Sequence, residues 1–153
     1  MKKKMTQKLF DLSNKTIILT GSAGRLGSNF AEILADAGAN LVLIDINEKE
    51  NKKLEKRITK KFKIKCISSN ANITIKKELL ELAKIIIEKF GKIDGLVNNA
   101  FYNPRTNVEQ SARKFEDYSL DLWNDVVSVN LTGVFLCSQT FGKIMAKQEV
   151  GGS

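Results

Sequence analysis

Short apolar runs alternate with amphipathic stretches along this chain from residue 16 to residue 146. The runs are rich in β-branched and aliphatic side chains, which is typical of strands buried on both faces of a parallel sheet. The longer stretches repeat apolar residues at helical spacing. The order β-α-β-α-β-α-β-loop-α predicts an α/β fold with helices on both faces of the sheet and right-handed crossovers. The predicted strands are 16–20, 41–44, 64–68 and 93–97, and the predicted helices are 24–37, 48–61, 78–90 and 120–146.

The helical spacing also predicts which side chains face the sheet. Gly38 and Gly91 follow the first and third helices, where glycine commonly ends a helix. The side chains predicted to face inward are Phe30, Ile33, Leu34 and Ala37 in the first helix, Leu54, Ile58 and Phe62 in the second, and Leu79, Leu82, Ala83, Ile86 and Phe90 in the third.

The composition is that of an ordinary globular domain, with 42% apolar residues in a chain of 153. This length suits one domain, and we take residues 1–153 as a single unit. The net charge of +8 raises the question of a nucleic-acid partner. The lysines, however, are spread along predicted helix faces without interleaved aromatic residues, so we interpret them as a solvated surface and expect no nucleic acid.

Cysteine and hydropathy patterns exclude other classes. Cys66 and Cys137 are far apart and the chain has no histidine, which argues against a metal site and a disulfide scaffold and favours two core cysteines. No segment approaches the roughly 20 apolar residues of a membrane span. The basic start, residues 1–8, leads into no apolar region typical of a signal peptide. We therefore expect a cytoplasmic protein without a membrane partner.

A glycine-rich segment, Thr20-Gly21-Ser22-Ala23-Gly24-Arg25-Leu26-Gly27, joins the first predicted strand to the first predicted helix. Glycine spacing alone is weak, but a strand before it, a helix after it and an acid about 20 residues later form the context of a Rossmann-type dinucleotide site. Gly21 would allow the sharp turn, Gly24 the approach of a pyrophosphate, and Gly27 close helix packing. The free N–H groups and the dipole at the helix start favour an anion there. We expect all seven residues from Gly21 to Gly27, including Ser22, Ala23, Arg25 and Leu26, to form the cofactor loop.

Asp45 comes at the end of the second predicted strand. We expect the adenosine ribose to lie there, beside Asp45 and Ile46. A carboxylate there can accept hydrogen bonds from both ribose hydroxyls and would repel a 2′-phosphate. Arg25 favours the opposite choice, since a guanidinium can pair with a phosphate. Asp45 holds the more decisive position, so the sequence favours NAD as the cofactor over NADP.

Two further motifs lie downstream of the glycine-rich segment. Asn98-Asn99-Ala100 follows the fourth strand, and Val129-Asn130-Leu131-Thr132-Gly133 lies in the last helix. With these motifs in this order, the chain resembles the short-chain dehydrogenase/reductase family from about residue 12 onward. The resemblance implies that Asn98, Asn99 and Ala100 stabilise the sheet and line the cofactor cleft. It also implies that Asn130 supports the catalytic group by holding a water in a proton relay. The structural alternative for Asn130 is a helix-kinking polar residue satisfied by backbone.

The sequence departs from the family pattern at three places. Its glycine spacing matches the extended branch, which leaves Arg25 where a glycine is common, whereas the later motifs match the ordinary branch. Asn72 stands where an aspartate usually binds the adenine amino group; its carbonyl oxygen can still accept that bond, with the Ile73 N–H nearby. Phe101 replaces the glycine that commonly follows Asn-Asn-Ala, which would crowd the nicotinamide side.

The resemblance also implies a catalytic serine and a Tyr-x-x-x-Lys motif, and neither is found: Tyr102 and Tyr118 are not followed four residues later by lysine. We therefore expect a partial sheet of about four strands, the cofactor-binding half of an NAD(P)-dependent oxidoreductase, inactive alone. A longer parent, a homodimer or homotetramer, would transfer hydride between nicotinamide and a carbonyl or alcohol substrate. The polar loop 101–117 and the stretch 98–105 are similar to members of bacterial surface-sugar or flagellin-glycan pathways, and a 3-oxoacyl-carrier-protein reductase or sugar-alcohol dehydrogenase is equally admissible.

The alternative is a non-catalytic nucleotide-binding or partner-binding protein that ends naturally at Ser153. Such a protein would leave its fourth strand as an open edge, which invites aggregation. It would also expose apolar side chains of the last helix, such as Phe135 and Phe141.

Overall fold

The computed structural model describes residues 10–104 and 114–153. The basic start 1–8 and the part of the polar loop that contains Arg105 lie outside the described residues. None of the helices in the described part is both long and apolar enough to span a membrane. The elements are β1 Thr16–Thr20, α1 Arg25–Asp36, β2 Asn40–Ile44, α2 Glu48–Lys61, β3 Cys66–Ser69, α3 Lys76–Phe90, β4 Gly95–Val97, a 3-10 turn Phe115–Asp117, α4 Leu120–Val127, a π-helical segment Ser128–Gly133 and α5 Val134–Met145.

The four strands form one parallel sheet, as the alternating pattern predicted, and their order in it is β3-β2-β1-β4. Successive side chains of a strand point to opposite faces, so each central strand serves two cores. Ile17 and Leu19 pack with α1 and α2 on one face. Ile18 packs with α3 and α5 on the other. The doubly wound α/β architecture is therefore confirmed.

The predicted inner face of α1 is wrong at two positions. Phe30 and Ile33 are 39% and 65% exposed, whereas Gly27, Ala31 and Ala35 are buried. These three small residues recur at every fourth position, so they share the face that meets the sheet. Because they carry little or no side chain, the helix lies closer to β1 and β2 than larger residues would allow. The inner faces predicted for α2 and α3 are confirmed at their buried positions, such as Ile58 and Ile86.

The predicted last helix is interrupted. A π-helical segment, Ser128–Gly133, separates α4 from α5, where the sequence predicted one continuous helix. Phe141, which the alternative interpretation expects to be exposed, is fully buried against the α3 side of the sheet. That expectation is wrong, while Phe135 is 58% exposed as expected.

The start of β4 is held by polar side chains. Asp94 accepts hydrogen bonds from the Thr16 N–H at 2.9 Å and from the ammonium groups of Lys15 and Lys92 at 3.1 and 3.0 Å. Burial alone would raise the pKa of Asp94, but these donors outweigh it and hold the pKa below its usual value. At the outer edge of β4, the Leu96 N–H donates to the Ser153 carbonyl and the Ser153 N–H donates to the Asp94 carbonyl. The edge expected to be open is thus partly paired.

Candidate functional site: a cleft at the carboxyl ends of the strands

A cleft of about 490 Å³ opens at the carboxyl ends of the strands. β1 lies between β2 and β4, so the strand order reverses at β1. In open α/β sheets such a switch point is where ligands bind. The residues that line the cleft are Gly21, Ile44, Asp45, Ile46, Ala71, Asn72, Ile73, Thr74, Ala100, Phe101, Tyr102, Asp125, Ser128 and Val129.

The glycine turn requires glycine at two positions, because other backbone segments approach it closely there. Gly21 has φ +65°, and a Cβ there would lie 2.7 Å from the Ala100 Cα. A Cβ at Gly27 would lie 2.0 Å from the Gly21 carbonyl oxygen. Neither space can hold even a methyl group. The turn therefore places the start of α1 directly beside the ends of β1 and β4.

The first turn of α1 follows a few residues after Gly21, which lines the cleft, and it carries backbone N–H donors. Gly24 caps the helix in an extended conformation, and no side chain in the described structure caps its N–H groups. The first N–H groups of any helix lack intrahelical acceptors. With the positive end of the helix dipole, those of Arg25, Leu26 and Gly27 form a setting for an anion such as a diphosphate.

Ser22 and Ala23 serve the turn itself. The Ser22 side chain is fully buried, and its hydroxyl donates to the Asn51 Oδ1 at 2.8 Å. The Ala23 N–H donates to the Asp45 Oδ2 at 2.9 Å. The Ser22 hydroxyl and the Ala23 N–H are thus both engaged within the protein. The cofactor contacts predicted for these two residues would have to use other atoms, and they stay a prediction.

Asp45 lines the cleft where β2 ends. Besides the bond from Ala23, its Oδ1 accepts the Asn47 N–H at 2.9 Å. A carboxylate has about four acceptor sites, so each oxygen can still accept a ribose hydroxyl. Ile46 is 76% exposed at the rim. The arrangement fits the predicted ribose position.

The loop after β3 brings Asn72 and Ile73 into the same cleft. The Asn72 Oδ1 accepts two hydrogen bonds from Thr74, from the N–H at 3.0 Å and from the hydroxyl at 2.8 Å. The acceptor that the sequence assigned to the adenine amino group is therefore already engaged. The Asn72 role stays a prediction, and it would require Thr74 to release the oxygen.

Asn99 and Thr20 join β4 to β1. The Asn99 side-chain amide donates to the carbonyls of Thr20 and Gly21 at 3.0 and 3.1 Å. The Thr20 hydroxyl accepts the N–H groups of Asn99 and Ala100, both at 3.0 Å. Asn99 thus supports the turn, Ala100 lines the cleft, and the exposed Asn98 bonds to the Ser138 hydroxyl at 3.2 Å.

Asn130 lies in the π-helical segment between α4 and α5. Its Oδ1 accepts the Tyr102 N–H at 2.7 Å, and its amide donates to the Tyr102 carbonyl at 3.0 Å. Its side chain therefore fixes the backbone that follows Ala100 and Phe101. This is the backbone-satisfied role named as the structural alternative, and support of catalysis stays a prediction.

Asn51 is a residue that sequence reasoning missed. It is 1% exposed, and its amide donates to the carbonyls of Leu43 and Ser69, both at 3.0 Å, while its Oδ1 accepts from Ser22. One side chain therefore ties the glycine turn to the ends of β2 and β3. The signal was present, because Asn51 falls in the apolar stripe of α2 with Leu54 and Ile58.

The parallel sheet with a glycine turn at its switch point defines a dinucleotide-binding class of α/β domain. The sequence matches the short chain dehydrogenase family over residues 15–152, so the chain belongs to that family. The resemblance drawn from the motifs is confirmed.

Relatives and solved structures agree with this placement. The short chain dehydrogenase/reductase dpmpG of Macrophomina phaseolina (strain MS6) is 32% identical over 138 residues, 90% of this chain and 75% of that protein. The 5-keto-D-gluconate 5-reductase of Escherichia coli (strain K12) is 32% identical over 143 residues, 94% of this chain and 53% of the reductase. The crystal structure of NAD+-bound xylitol dehydrogenase aligns with a TM-score of 0.81 at 28% identity, covering 92% of this chain and 51% of that chain. The chain thus spans about half the length of the last two proteins.

Proposed function

We propose that this chain is the cofactor-binding part of an NAD(P)-dependent oxidoreductase that transfers hydride between nicotinamide and a carbonyl or alcohol substrate. The observation that carries the proposal is the cleft at the switch point, which Gly21 of the glycine turn and Asp45 line. The uncapped start of α1 directly follows that turn, whose Ala23 N–H donates to Asp45. Residues 1–153 would act as one domain. The nicotinamide supplies the hydride chemistry when it is bound, and the protein supplies binding and orientation.

The residues present fit a dinucleotide. The first N–H groups of α1 would hold the diphosphate, and Asp45 would accept the ribose hydroxyls. A 2′-phosphate at the same place would meet the Asp45 carboxylate at close range, which favours NAD over NADP. Ala100 and Phe101 line the cleft beyond the end of β4, where the nicotinamide half would extend.

No residue of this chain matches the family's Tyr-x-x-x-Lys motif. Without it the chain offers no assigned group to move the alcohol proton. Since it spans about half the length of two relatives, we propose that the proton-transfer groups belong to a longer parent. The chain alone should then bind the cofactor without turning over substrate.

The substrate is proposed as a small polyol, keto-sugar or similar carbonyl compound, because relatives are named for 5-keto-D-gluconate and xylitol. The surface-sugar, flagellin-glycan and 3-oxoacyl classes stay open. A homodimer or homotetramer is proposed for the parent, and the exposed Leu131 and Phe135 are apolar surface that a second subunit could cover. The cytoplasm is the proposed compartment, since both cysteines are free thiols.

Calorimetric titration with NAD and NADP tests the proposal. The wild-type chain should bind NAD at least about tenfold more tightly than NADP, because a 2′-phosphate beside a carboxylate loses at least about 1.4 kcal/mol. Asp45→Asn should narrow the difference between the NAD and NADP affinities. Asp36→Asn, the control, removes an exposed carboxylate at the end of α1 and should leave that difference unchanged. If the folded wild-type chain binds neither dinucleotide, the proposal is wrong.

A further inference from the structure

The amino group of the cofactor's adenine ring has no obvious acceptor in the loop after β3. Adenine presents an amino group, which needs an acceptor, beside a ring nitrogen, which needs a donor. The Ile73 N–H can serve as that donor, since it makes no backbone hydrogen bond within the described residues. The Asn72 Oδ1 has two lone pairs, and Thr74 occupies both of them. The loop therefore offers a donor but no free side-chain carbonyl.

A carboxylate lies across the same cleft. Asp125, on α4, lines the cleft together with Asn72, Ile73 and Thr74. It is exposed to solvent, and across residues 10–104 and 114–153 its carboxylate has no hydrogen bond or ion pair. A carboxylate provides acceptor sites only and forms stronger hydrogen bonds than a neutral oxygen.

We infer that Asp125 accepts the adenine amino group and thereby selects adenine over other bases, an inference that rests on the proposed dinucleotide site. Two other acceptors in the cleft are weaker candidates. Asp45 already holds the N–H groups of Ala23 and Asn47 and lies at the ribose position. The Thr74 hydroxyl is neutral and is committed as a donor to Asn72.

The test compares two dinucleotides that differ at this one group. Nicotinamide hypoxanthine dinucleotide has a carbonyl oxygen in place of the adenine amino group, so a carboxylate that accepts from the amino group would repel it. Wild-type protein should bind NAD more tightly than the hypoxanthine analogue in calorimetric titrations. Asp125→Ala should reduce the ratio of the two dissociation constants about tenfold, which corresponds to about 1.4 kcal/mol. Part of the preference should persist, because the Ile73 N–H still opposes the protonated ring nitrogen of hypoxanthine.

The ratio of the two dissociation constants separates recognition of the amino group from the general effect of removing a negative charge. Removing a carboxylate near a diphosphate strengthens the binding of both dinucleotides alike, and this effect cancels in the ratio. Asp121→Ala is the matched control, because Asp121 lies one helical turn earlier on α4 and does not line the cleft. Its ratio should equal that of the wild type.

The outcomes distinguish this inference from the proposed function. If NAD binds and Asp125→Ala leaves the ratio unchanged, the inference is overturned while the dinucleotide site stands. If Asn72→Ala abolishes the preference and Asp125→Ala does not, Asn72 is the acceptor and the inference is again overturned. If the folded wild-type chain binds neither dinucleotide, both the inference and the proposed function fail.

Discussion

Replacing Gly27 by alanine should displace the start of α1 from the sheet. The added Cβ would lie 2.0 Å from the Gly21 carbonyl oxygen and 2.8 Å from the Ser22 Cα. Ordinary contact begins at 3.4 Å, so the backbone must separate by about 1.4 Å. Overpacking of this kind typically costs about 1–3 kcal/mol, and the value should be near the upper end because both obstacles are backbone atoms. Alanine favours the helix by about 1 kcal/mol more than glycine does, which offsets part of this steric cost.

Gly142→Ala provides the matched control within α5. A Cβ there meets nothing within 4 Å, so this variant should be more stable than wild type by about 0.8–1.0 kcal/mol from propensity alone. Urea unfolding of both variants then isolates the steric cost at Gly27 as the difference between them. Equal unfolding free energies for the two variants would refute the argument.

The same displacement should weaken cofactor binding. N–H···O hydrogen bonds are confined to about 2.7–3.2 Å, so moving the α1 N–H groups by about 1.4 Å would break the contacts proposed for the diphosphate. Loss of one hydrogen bond to a charged group costs about 1.5–3 kcal/mol, which predicts at least tenfold weaker NAD binding for Gly27→Ala by calorimetry. Gly142→Ala should bind as the wild type does. Unchanged affinity in a folded Gly27→Ala protein would show that these N–H groups do not hold the ligand.

Three further variants or measurements test the supporting structure. Asn51→Leu removes the bonds that Asn51 makes to the Ser22 hydroxyl and to the Leu43 and Ser69 carbonyls, of which Ser69 still accepts the Asp45 N–H. Loss of the other two bonds, at about 1–3 kcal/mol each, should lower the unfolding free energy in urea titration by at least about 2 kcal/mol; a loss below about 1 kcal/mol would contradict this. Folding lowers the pKa of Asp94 from 3.8, so its carboxylate stabilises the fold above that pH and loses this effect as the pH falls through the lower folded value. Asp94→Asn should therefore lower the unfolding free energy more at pH 7 than at pH 3, and an equal loss at both would be inconsistent. Burial raises the pKa of Cys137 to about 12, and its side chain is fully buried, so disulfide-exchange reagents at pH 8 should react with Cys137 only as fast as the protein opens; rapid labelling of Cys137 in the native chain would oppose this.

Local sequence pattern was sufficient for the order of the elements. β1 and α2 have the predicted bounds, because a β-branched run before glycine and a helix capped by Asn47 are encoded within a few residues. The cleft position was also predictable, since parallel strands align their carboxyl ends and the glycine turn marks the switch point. These features depend on short-range chemistry that a single sequence displays.

Features that depend on tertiary packing were not predictable in the same way. The inner face of α1 was misassigned because hydrophobicity favoured Phe30 and Ile33, whereas the closeness of the helix to the sheet selected Ala31 and Ala35. The hydrogen bonds of Asn51 and the engagement of the Asn72 oxygen by Thr74 depend on the exact placement of several segments. Periodicity also cannot distinguish a π-helical segment within a longer helix, since the apolar positions continue on either side of it.

The position of β1 between β2 and β4 has a consequence for the time at which the site can form during synthesis. Gly21 receives its bond from Asn99 across a separation of 78 residues. At a ribosomal rate of 5–20 residues per second, β1 and the turn wait roughly 4–16 s for that partner. During this interval β1 can pair only with β2, and the edge that β4 will cover is open to other chains. A nascent chain should therefore acquire affinity for the cofactor only after β4 has emerged, although Gly21 of the proposed cofactor loop is made 78 residues earlier than Asn99.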